Sequence, residues 1–132
     1  MVKEAQVITI GLLIAFLLGG MWFKEIPLLD EDIKRVGIGL YLSSPLLGGS
    51  IGCHAIGNIG YYSKKRIIDF LGKIDTVISH QEPKGDFAPG HDKWNYEYSI
   101  NELKPDIIVP QWTKGLNLRN YTKRGKIYYR KL

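Results

Sequence analysis

Residues 50–72 read SIGCHAIGNIGYYSKKRIIDFLG, and this stretch decides the fold class. Its first part, residues 50–56, is a short apolar run between glycines, which is typical of a buried strand. Residues 58–63 predict a turn. A second short apolar segment covers residues 67–71 and ends at Gly72.

The pattern on both sides of this stretch predicts helices and one further strand. An acidic first turn predicts a helix from about residue 30 to residue 43, and residues 75–80 predict a helical turn with Asp75 as N-cap. Residues 81–90 contain two prolines and two glycines and predict a long loop. A helical period over 94–103 and a strand at 106–109 follow. This order predicts an α/β fold with a small open parallel or mixed sheet covered by helices.

The N-terminal part of the chain predicts a membrane anchor. Residues 7–23 read VITIGLLIAFLLGGMWF, a run of seventeen residues without a charge. About 17–25 apolar residues of helix cross a bilayer, so the run predicts one N-terminal transmembrane helix within residues 1–24, with Trp22 at the interface. A cleaved signal peptide and a buried core helix are the two alternatives.

The charges divide the rest of the chain. The net charge is +5, but residues 1–112 hold 11 basic and 13 acidic side chains, whereas residues 113–132 hold 7 basic and no acidic ones. We therefore predict a soluble α/β domain over residues 25–112 and a basic tail over residues 113–132, in which residues 126–130 could form an edge strand. The acidic domain argues against nucleic acid as a partner.

Composition and motif spacing exclude several classes of protein. Hydrophobic residues make up 45% and charged residues 23% of the chain, which excludes intrinsic disorder and a mostly buried membrane bundle. The single cysteine, Cys53, excludes an intramolecular disulfide framework and a cysteine-rich zinc site. No glycine loop has the strand-to-helix context that phosphate binding requires.

Asp69 and a group of aromatic residues are candidate ligand contacts. Asp69 lies in an apolar segment, and a buried carboxylate must be paired or hydrogen-bonded. It is therefore either tied to backbone N–H groups or a basic side chain, or it faces a ligand. The aromatic residues beside the long loop either form the core or stack on sugars or bases: Tyr61, Tyr62, Phe87, Trp94, Tyr96 and Tyr98.

Four motifs within residues 50–109 carry a resemblance. They are GNIGYYS at 57–63, IIDFLG at 67–72, GHDK at 90–93 and PDII at 105–108. In order and spacing they resemble the C-terminal soluble domain of multi-spanning, mannosyltransferase-like membrane glycosyltransferases that use polyprenyl-phosphate sugars. The chain departs from that pattern at Gly60, Lys73 and Asn95.

The resemblance implies a function without supplying an active site. It implies that residues 7–23 are the last membrane helix of such an enzyme and that the α/β domain is extracytoplasmic. The catalytic carboxylate of these enzymes lies in a loop that this chain lacks, so we predict no catalytic residue, metal or cofactor. We expect a non-catalytic domain or fragment that contacts the acceptor or glycan or supports the membrane part.

The expected partners are the membrane, a multi-spanning glycosyltransferase subunit, and a glycan or polyprenyl-phosphate ligand. Two segments converge on the 81–90 loop and give six candidate ligand-binding residues: Tyr61, Tyr62, Asp69, His91, Lys93 and Trp94. One alternative is a stand-alone anchored or secreted binding module. Another is a small metal-dependent hydrolase that uses Asp69, His80, His91 and Asp92.

Overall fold

The computed structural model describes residues 8–15 and 27–131. Residues 8–15 are helical (α1), and the next helix, α2, covers Pro27–Leu42. The chain divides into two compact units, Met1–Ile33 and Lys34–Leu132. The sheet lies entirely in the second unit.

The predicted transmembrane helix and single-pass membrane localisation are wrong. Within residues 8–15 and 27–131, no helix is both long and apolar enough to cross a membrane. The described part of the predicted span is α1, which has eight residues against the ~20 that a bilayer requires. Residues 16–23 of the predicted span, Trp22 among them, lie outside the described residues.

Five strands form one sheet, so the predicted open mixed sheet is confirmed. The strands are β1 (Ser50–Cys53), β2 (Arg66–Asp69), β3 (Ile107–Val109), β4 (Tyr121–Arg124) and β5 (Ile127–Arg130). Their order in the sheet is β2-β1-β3-β5-β4. β1 pairs in parallel with both β2 and β3, and β5 runs antiparallel to β3 and β4.

Three helical segments connect the strands. Residues 58–63, predicted as a turn, belong instead to helix α3 (Ile56–Ser63), which links β1 to β2. Helix α4 (Thr76–Ser79) is a single turn, and its predicted N-cap is confirmed because Asp75 Oδ1 accepts a hydrogen bond from Ile78 N–H at 3.0 Å. A π-helix at Glu97–Glu102 precedes β3.

Alternate strand residues divide the core between the two faces of the sheet. On the first face, Ile51 and Cys53 of β1 and Ile107 and Val109 of β3 pack with Leu42 of α2. Burial, aided by the negative charge of Asp69, raises the pKa of the Cys53 thiol to about 12, so this cysteine is a neutral core residue.

The second face is covered by the π-helix and by the segment before β4. Its buried residues come from three strands or strand ends and from the π-helix: Ile68, Phe70, Ile100, Ile108 and Tyr121. The Tyr121 hydroxyl donates to the Pro105 carbonyl oxygen at 2.8 Å, which satisfies the polar end of this ring.

The basic segment 113–132 contributes two strands to the sheet. Residues 126–130 are expected at an edge, but β5 lies inside the sheet between β3 and β4, and β4 is the edge strand on that side. The edge strand carries Lys123 and Arg124, and such charges disfavour pairing with another chain. Gly125 has a φ of +61° in the two-residue turn between β4 and β5.

Candidate functional site

The carboxyl edge of the parallel strands is the topological switch point of the sheet. From β1 the chain passes through α3 to β2 on one side, and β3 lies on the other side of β1. In open α/β sheets, ligands bind outside the carboxyl ends of the strands at this place. His54 follows β1 directly, Phe70 follows β2, and Trp112 follows β3 by three residues.

These three side chains meet Tyr96 in one group, called here the switch-point cluster (His54, Phe70, Tyr96 and Trp112). The His54 ring centroid lies 4.0 Å from that of Trp112 and 5.2 Å from that of Phe70. The Phe70 and Tyr96 rings meet edge to face at 6.0 Å. His54 is buried, whereas Tyr96 and Trp112 are half-buried and therefore reach the surface.

Hydrogen bonds fix the protonation state of His54. The backbone N–H of Gln111 donates to His54 Nδ1 at 3.1 Å, so this nitrogen carries no proton. The proton of the neutral ring is therefore on Nε2, which lies 3.2 Å from the Tyr96 hydroxyl oxygen and donates to it. Burial, together with electrostatic interactions with His91 and Lys73, lowers the pKa of His54 to about 4, in agreement with a neutral ring.

The Tyr96 hydroxyl keeps a hydrogen-bond donor to spare. Its oxygen accepts from His54 Nε2 and also from Trp112 Nε1 at 3.0 Å, and both bonds use acceptor capacity. Burial raises the pKa of Tyr96 more than the bond from Trp112 lowers it, so the hydroxyl keeps its proton at neutral pH. Among residues 8–15 and 27–131, no acceptor for this proton is found. The proton is available to solvent or to a ligand oxygen.

Gly52 makes the cluster sterically possible. The Phe70 ring lies across β1 at Gly52, where a Cβ atom would be 2.6 Å from ring carbons Cε1 and Cζ and 2.9 Å from Pro105 Cγ. No residue larger than glycine leaves room for the ring there. The closely packed Phe70 ring in turn contacts the rings of His54 and Tyr96.

Of the six predicted residues, His91 and Trp94 lie beside the cluster, whereas Lys93 contacts α4. The His91 ring centroid is 6.4 Å from that of Trp112, and the Trp94 ring stacks on Tyr96 at the same distance with an angle of 24° between the planes. Lys93 Nζ donates to the Ser79 carbonyl oxygen at 2.7 Å, which holds the segment after the long loop against α4.

The long loop is closed by its own backbone. Lys84 N–H donates to the Asp92 carbonyl oxygen at 2.7 Å, and His91 N–H donates to that of Ala88 at 2.8 Å. Gly90 has a φ of +68°, and a Cβ atom there would lie 3.1 Å from Lys73 Cε. The loop thus places His91 and the basic Lys73 on the same side of the site.

The Asp69 carboxylate is held by backbone N–H groups. It is buried, and its two carboxylate oxygens accept hydrogen bonds from Leu71 N–H at 2.9 Å and from Ile74 N–H at 2.7 Å. Of the two interpretations of this residue, the contacts correspond to the one in which backbone N–H groups hold the carboxylate. The turn after β2 depends on it.

Tyr61 and Tyr62 lie in the last turn of α3, away from the other candidates. α3 begins at the carboxyl edge of the sheet and returns the chain to the start of β2, so its last turn lies at the amino edge. The two rings contact each other at 5.1 Å, and Lys64 Nζ lies 4.1 Å from the Tyr61 ring centroid. The structure therefore does not bring them together with His91 and Trp94.

The amino edge of the sheet is held by Asp106. Its Oδ2 accepts from the N–H of Ser50 at 2.9 Å and from the Ser50 hydroxyl at 2.8 Å, and its Oδ1 pairs with Arg130. Burial raises the pKa of Asp106, but the bonds from Ser50 and Arg130 outweigh this and lower it. Residues 48–52 match the GxSxG spacing of a nucleophile elbow, but Ser50 starts a strand instead of standing on a strand-to-helix turn.

The residues proposed for a metal-dependent hydrolase do not form a metal site. In the part of the chain that the structure describes, no group of three His, Cys, Asp or Glu side chains could hold a metal ion. Asp69 is occupied by backbone N–H groups, and His80 Nδ1 lies 2.6 Å from the Thr76 carbonyl oxygen.

Fold and site define a small mixed α/β domain with an aromatic, hydrogen-bonded cluster at its switch point. The chain belongs to the family described as Domain of unknown function (DUF8728), whose model matches residues 29–131. No curated protein and no solved structure matches the chain significantly.

His54, Tyr96 and Trp112 were not among the six predicted residues. His54 has the pattern of an ordinary strand residue, Tyr96 was one of the aromatic residues expected either in the core or stacked on a ligand, and Trp112 lies in a segment without periodicity. The signal that could have found them is position, because His54 lies near the carboxyl end of the strand predicted at 50–56 and Trp112 follows the strand predicted at 106–109.

Proposed function

We propose that this chain is a non-catalytic α/β module that acts with a lipid-linked-sugar glycosyltransferase, and that its switch-point cluster contacts the glycan. The observation that carries the glycan contact is the unused hydroxyl proton of Tyr96 between half-buried aromatic rings. Sugars present apolar C–H faces to aromatic rings and oxygen atoms to donors, so a ring surface with a fixed donor suits them.

The surroundings of the Tyr96 hydroxyl support this ligand class. The Trp94 ring stacks on Tyr96, and the Trp112 indole N–H donates to the Tyr96 oxygen. Both tryptophans are half-buried, so each presents part of its ring to solvent. A glycan could lie against one ring while one of its oxygens accepts the proton of Tyr96.

The connection to a glycosyltransferase rests on the resemblance of four motifs. Two of them now have a physical explanation that does not depend on a ligand: Asp69 in IIDFLG holds a turn, and Asp106 in PDII holds the amino edge of the sheet. IIDFLG also contributes Phe70 to the switch-point cluster, and the GHDK motif at 90–93 lies beside the cluster through His91. The proposed role is therefore contact with glycan or acceptor, without chemistry on the sugar.

Binding is tested by titrating the ¹⁵N-labelled full chain with mannotriose and with maltotriose in ¹H–¹⁵N NMR. The chain has three tryptophans, so it gives at most three indole N–H signals, and a Trp112→Phe variant assigns the one of interest. We expect the Trp112 and Trp94 signals to shift with a glycan. If neither sugar shifts these signals at concentrations up to about 10 mM, which suffice to detect weak binding, the glycan role is contradicted.

Two variants separate a contact from a general loss of stability. Trp94→Ala removes the outer ring and should weaken glycan binding about 2- to 12-fold, from an aromatic contribution of about 0.5–1.5 kcal/mol. Tyr61→Ala removes an exposed ring at the amino edge and should leave binding unchanged. Equal effects of the two variants would exclude the switch-point cluster as the binding surface.

The association with an enzyme has its own test. The tagged chain is purified from its natural host in mild detergent, and copurifying proteins are identified. Recovery of a multi-spanning glycosyltransferase supports the subunit role. Glycan binding without such a partner supports the alternative of a stand-alone binding module.

A further inference from the structure

A groove separates the second half of α2 from the turn between β4 and β5. Its larger part has a volume of about 450 Å³, and an adjoining part of about 410 Å³ shares Ile38, Tyr41, Lys126 and Ile127 with it. Pockets for small ligands have volumes of about 300–1,000 Å³, so the groove is large enough for one. It lies apart from the switch-point cluster, because none of the cluster residues lines it.

The floor of the groove is apolar. Ile38, Leu47 and Ile127 line the larger part, and all three are half-buried against the core of the first sheet face. Tyr41 and Tyr129 stand beside them, and burial together with a hydrogen bond to Tyr41 raises the pKa of Tyr129 to about 12. Tyr129 is therefore neutral at physiological pH.

The rim of the groove is basic. Arg124 and Lys126 stand on the two sides of Gly125 in the β4–β5 turn, and the Arg124 guanidinium lies 5.9 Å from the Tyr129 ring centroid. Lys34 of α2 lines the adjoining part. No acidic side chain lines either part among the residues that the structure describes.

We propose that this groove binds an anionic amphiphile, that is, a molecule with one long apolar chain and a phosphate or carboxylate head. The hydrocarbon chain of the ligand lies along Ile38, Leu47 and Ile127, and its anionic head lies between Arg124 and Lys126. An apolar floor gains from covering a hydrocarbon chain, and a basic rim without acids selects an anion over a neutral or cationic head. This site is independent of the glycan role of the switch-point cluster.

The chemistry of the ligand is tested by calorimetric titration of the full chain below the critical micelle concentration. The probes are octyl, decyl and dodecyl phosphate, dodecanoate, neutral dodecyl maltoside and inorganic phosphate. Each added methylene should tighten Kd by up to about fourfold if the chain lies on the apolar floor. Dodecyl phosphate and dodecanoate distinguish the two kinds of head, and binding of either supports the site.

Two variants locate the site, and a third is their control. Gly37 lines the groove in the middle of α2, and a Cβ atom there meets no heavy atom within 4 Å. Gly37→Trp should therefore fill the adjoining part, beside Ile38 and Ile127 on which the hydrocarbon chain lies, without disturbing the helix, and reduce affinity at least tenfold. Lys126→Gln should cost about tenfold through the head. Lys114→Gln makes the same change of charge outside the groove and should have no effect.

The proposal is overturned if dodecyl maltoside binds as tightly as dodecyl phosphate, or if octyl, decyl and dodecyl phosphate bind with the same Kd. It is equally overturned if Gly37→Trp binds the probe like the parent chain. Thermal unfolding of Gly37→Trp verifies that the variant folds. Because Lys126 is exposed in a turn, Lys126→Gln gives the same test without any risk to the core.

Discussion

Replacing Gly52 by alanine should severely destabilise the domain, although it adds a single methyl group to a strand. Gly52 lies in β1 beneath the Phe70 ring, and the added Cβ would be 2.6 Å from two carbons of this ring. Carbon atoms attract each other best at about 3.5–4.0 Å, so the ring would have to retreat by about 1 Å.

The ring has little room to retreat. Phe70 is fully buried in the core of the second face, and its ring also contacts His54 at 5.2 Å and Tyr96 at 6.0 Å between centroids. On the second side of the new methyl group, Pro105 Cγ at 2.9 Å prevents the strand from moving instead. Overpacking of a core typically costs about 1–3 kcal/mol, and two opposed contacts place Gly52→Ala at or above about 3 kcal/mol.

Urea denaturation of the full chain measures this loss, with Gly37→Ala as the matched control. For a slope of about 1–3 kcal/mol/M, a loss of 3 kcal/mol lowers the midpoint by about 1–3 M. Gly37→Ala meets no atom and replaces glycine in an exposed helix, which should stabilise by about 0.5–1 kcal/mol. A Gly52→Ala chain with the parent's midpoint would refute the close packing of Phe70 on β1.

Two more predictions concern polar groups. The lowered pKa of His54, about 4 against 6.5, means that the folded state binds this proton less readily than the unfolded state. The contribution of neutral His54 to stability is therefore complete above pH 6.5 and is lost as the pH falls towards 4. Urea denaturation at pH 7.5 and 4.5 should show a lower midpoint at pH 4.5, and this decrease should be smaller in His54→Phe. An equal decrease in the two proteins contradicts the lowered pKa of His54. Asp69→Asn leaves one of two buried N–H groups without an acceptor and should lower the free energy of unfolding by about 1–3 kcal/mol. Asp86→Asn in the exposed loop is the control and should change the melting temperature little. Equal melting temperatures of the two variants in thermal unfolding would contradict the role of Asp69.

The sheet could be predicted from the sequence because its signals are local. The apolar runs at 50–53 and 107–109 are short and bounded by turn residues, so each indicates a strand without reference to the rest of the chain. The N-cap at Asp75 is equally local, since the capping side chain and the N–H that it accepts are three residues apart.

The errors arose where distant contacts decide the structure. Residues 56–63 contain two glycines and an asparagine, which suggest a turn, but Ile59 is buried against the first sheet face and stabilises a helix there. The basic segment reads as a solvated tail, yet Tyr121 and Tyr128 pack on the second face and draw its strands into the sheet. The predicted membrane helix rested on the length of an apolar run alone.

The candidate site was harder to predict because its parts come from three separate strand ends. Trp94 and His91 were found through the long loop beside them, but the hydroxyl that connects the cluster belongs to Tyr96, 42 residues from His54. Only the parallel pairing of β1 with β3 brings Gln111 N–H to His54 Nδ1 and so fixes which nitrogen carries the proton.

The two edges of the sheet have different polar chemistry, and this difference assigns their roles. At the amino edge, Ser50 and Asp106 use each other's donors and acceptors, and Arg130 N–H donates to the Asp106 carbonyl oxygen at 2.9 Å, so β1, β3 and β5 are joined in a closed set of bonds. At the carboxyl edge, the bonds of His54 and Trp112 converge on the Tyr96 oxygen and leave the hydroxyl proton unused among the described residues. A closed set of bonds stabilises the fold and has nothing to offer a ligand, whereas an unused donor between aromatic rings can bind one. Substitutions of Ser50 or Asp106 should therefore act on stability, and ligand binding should respond to substitutions at the carboxyl edge.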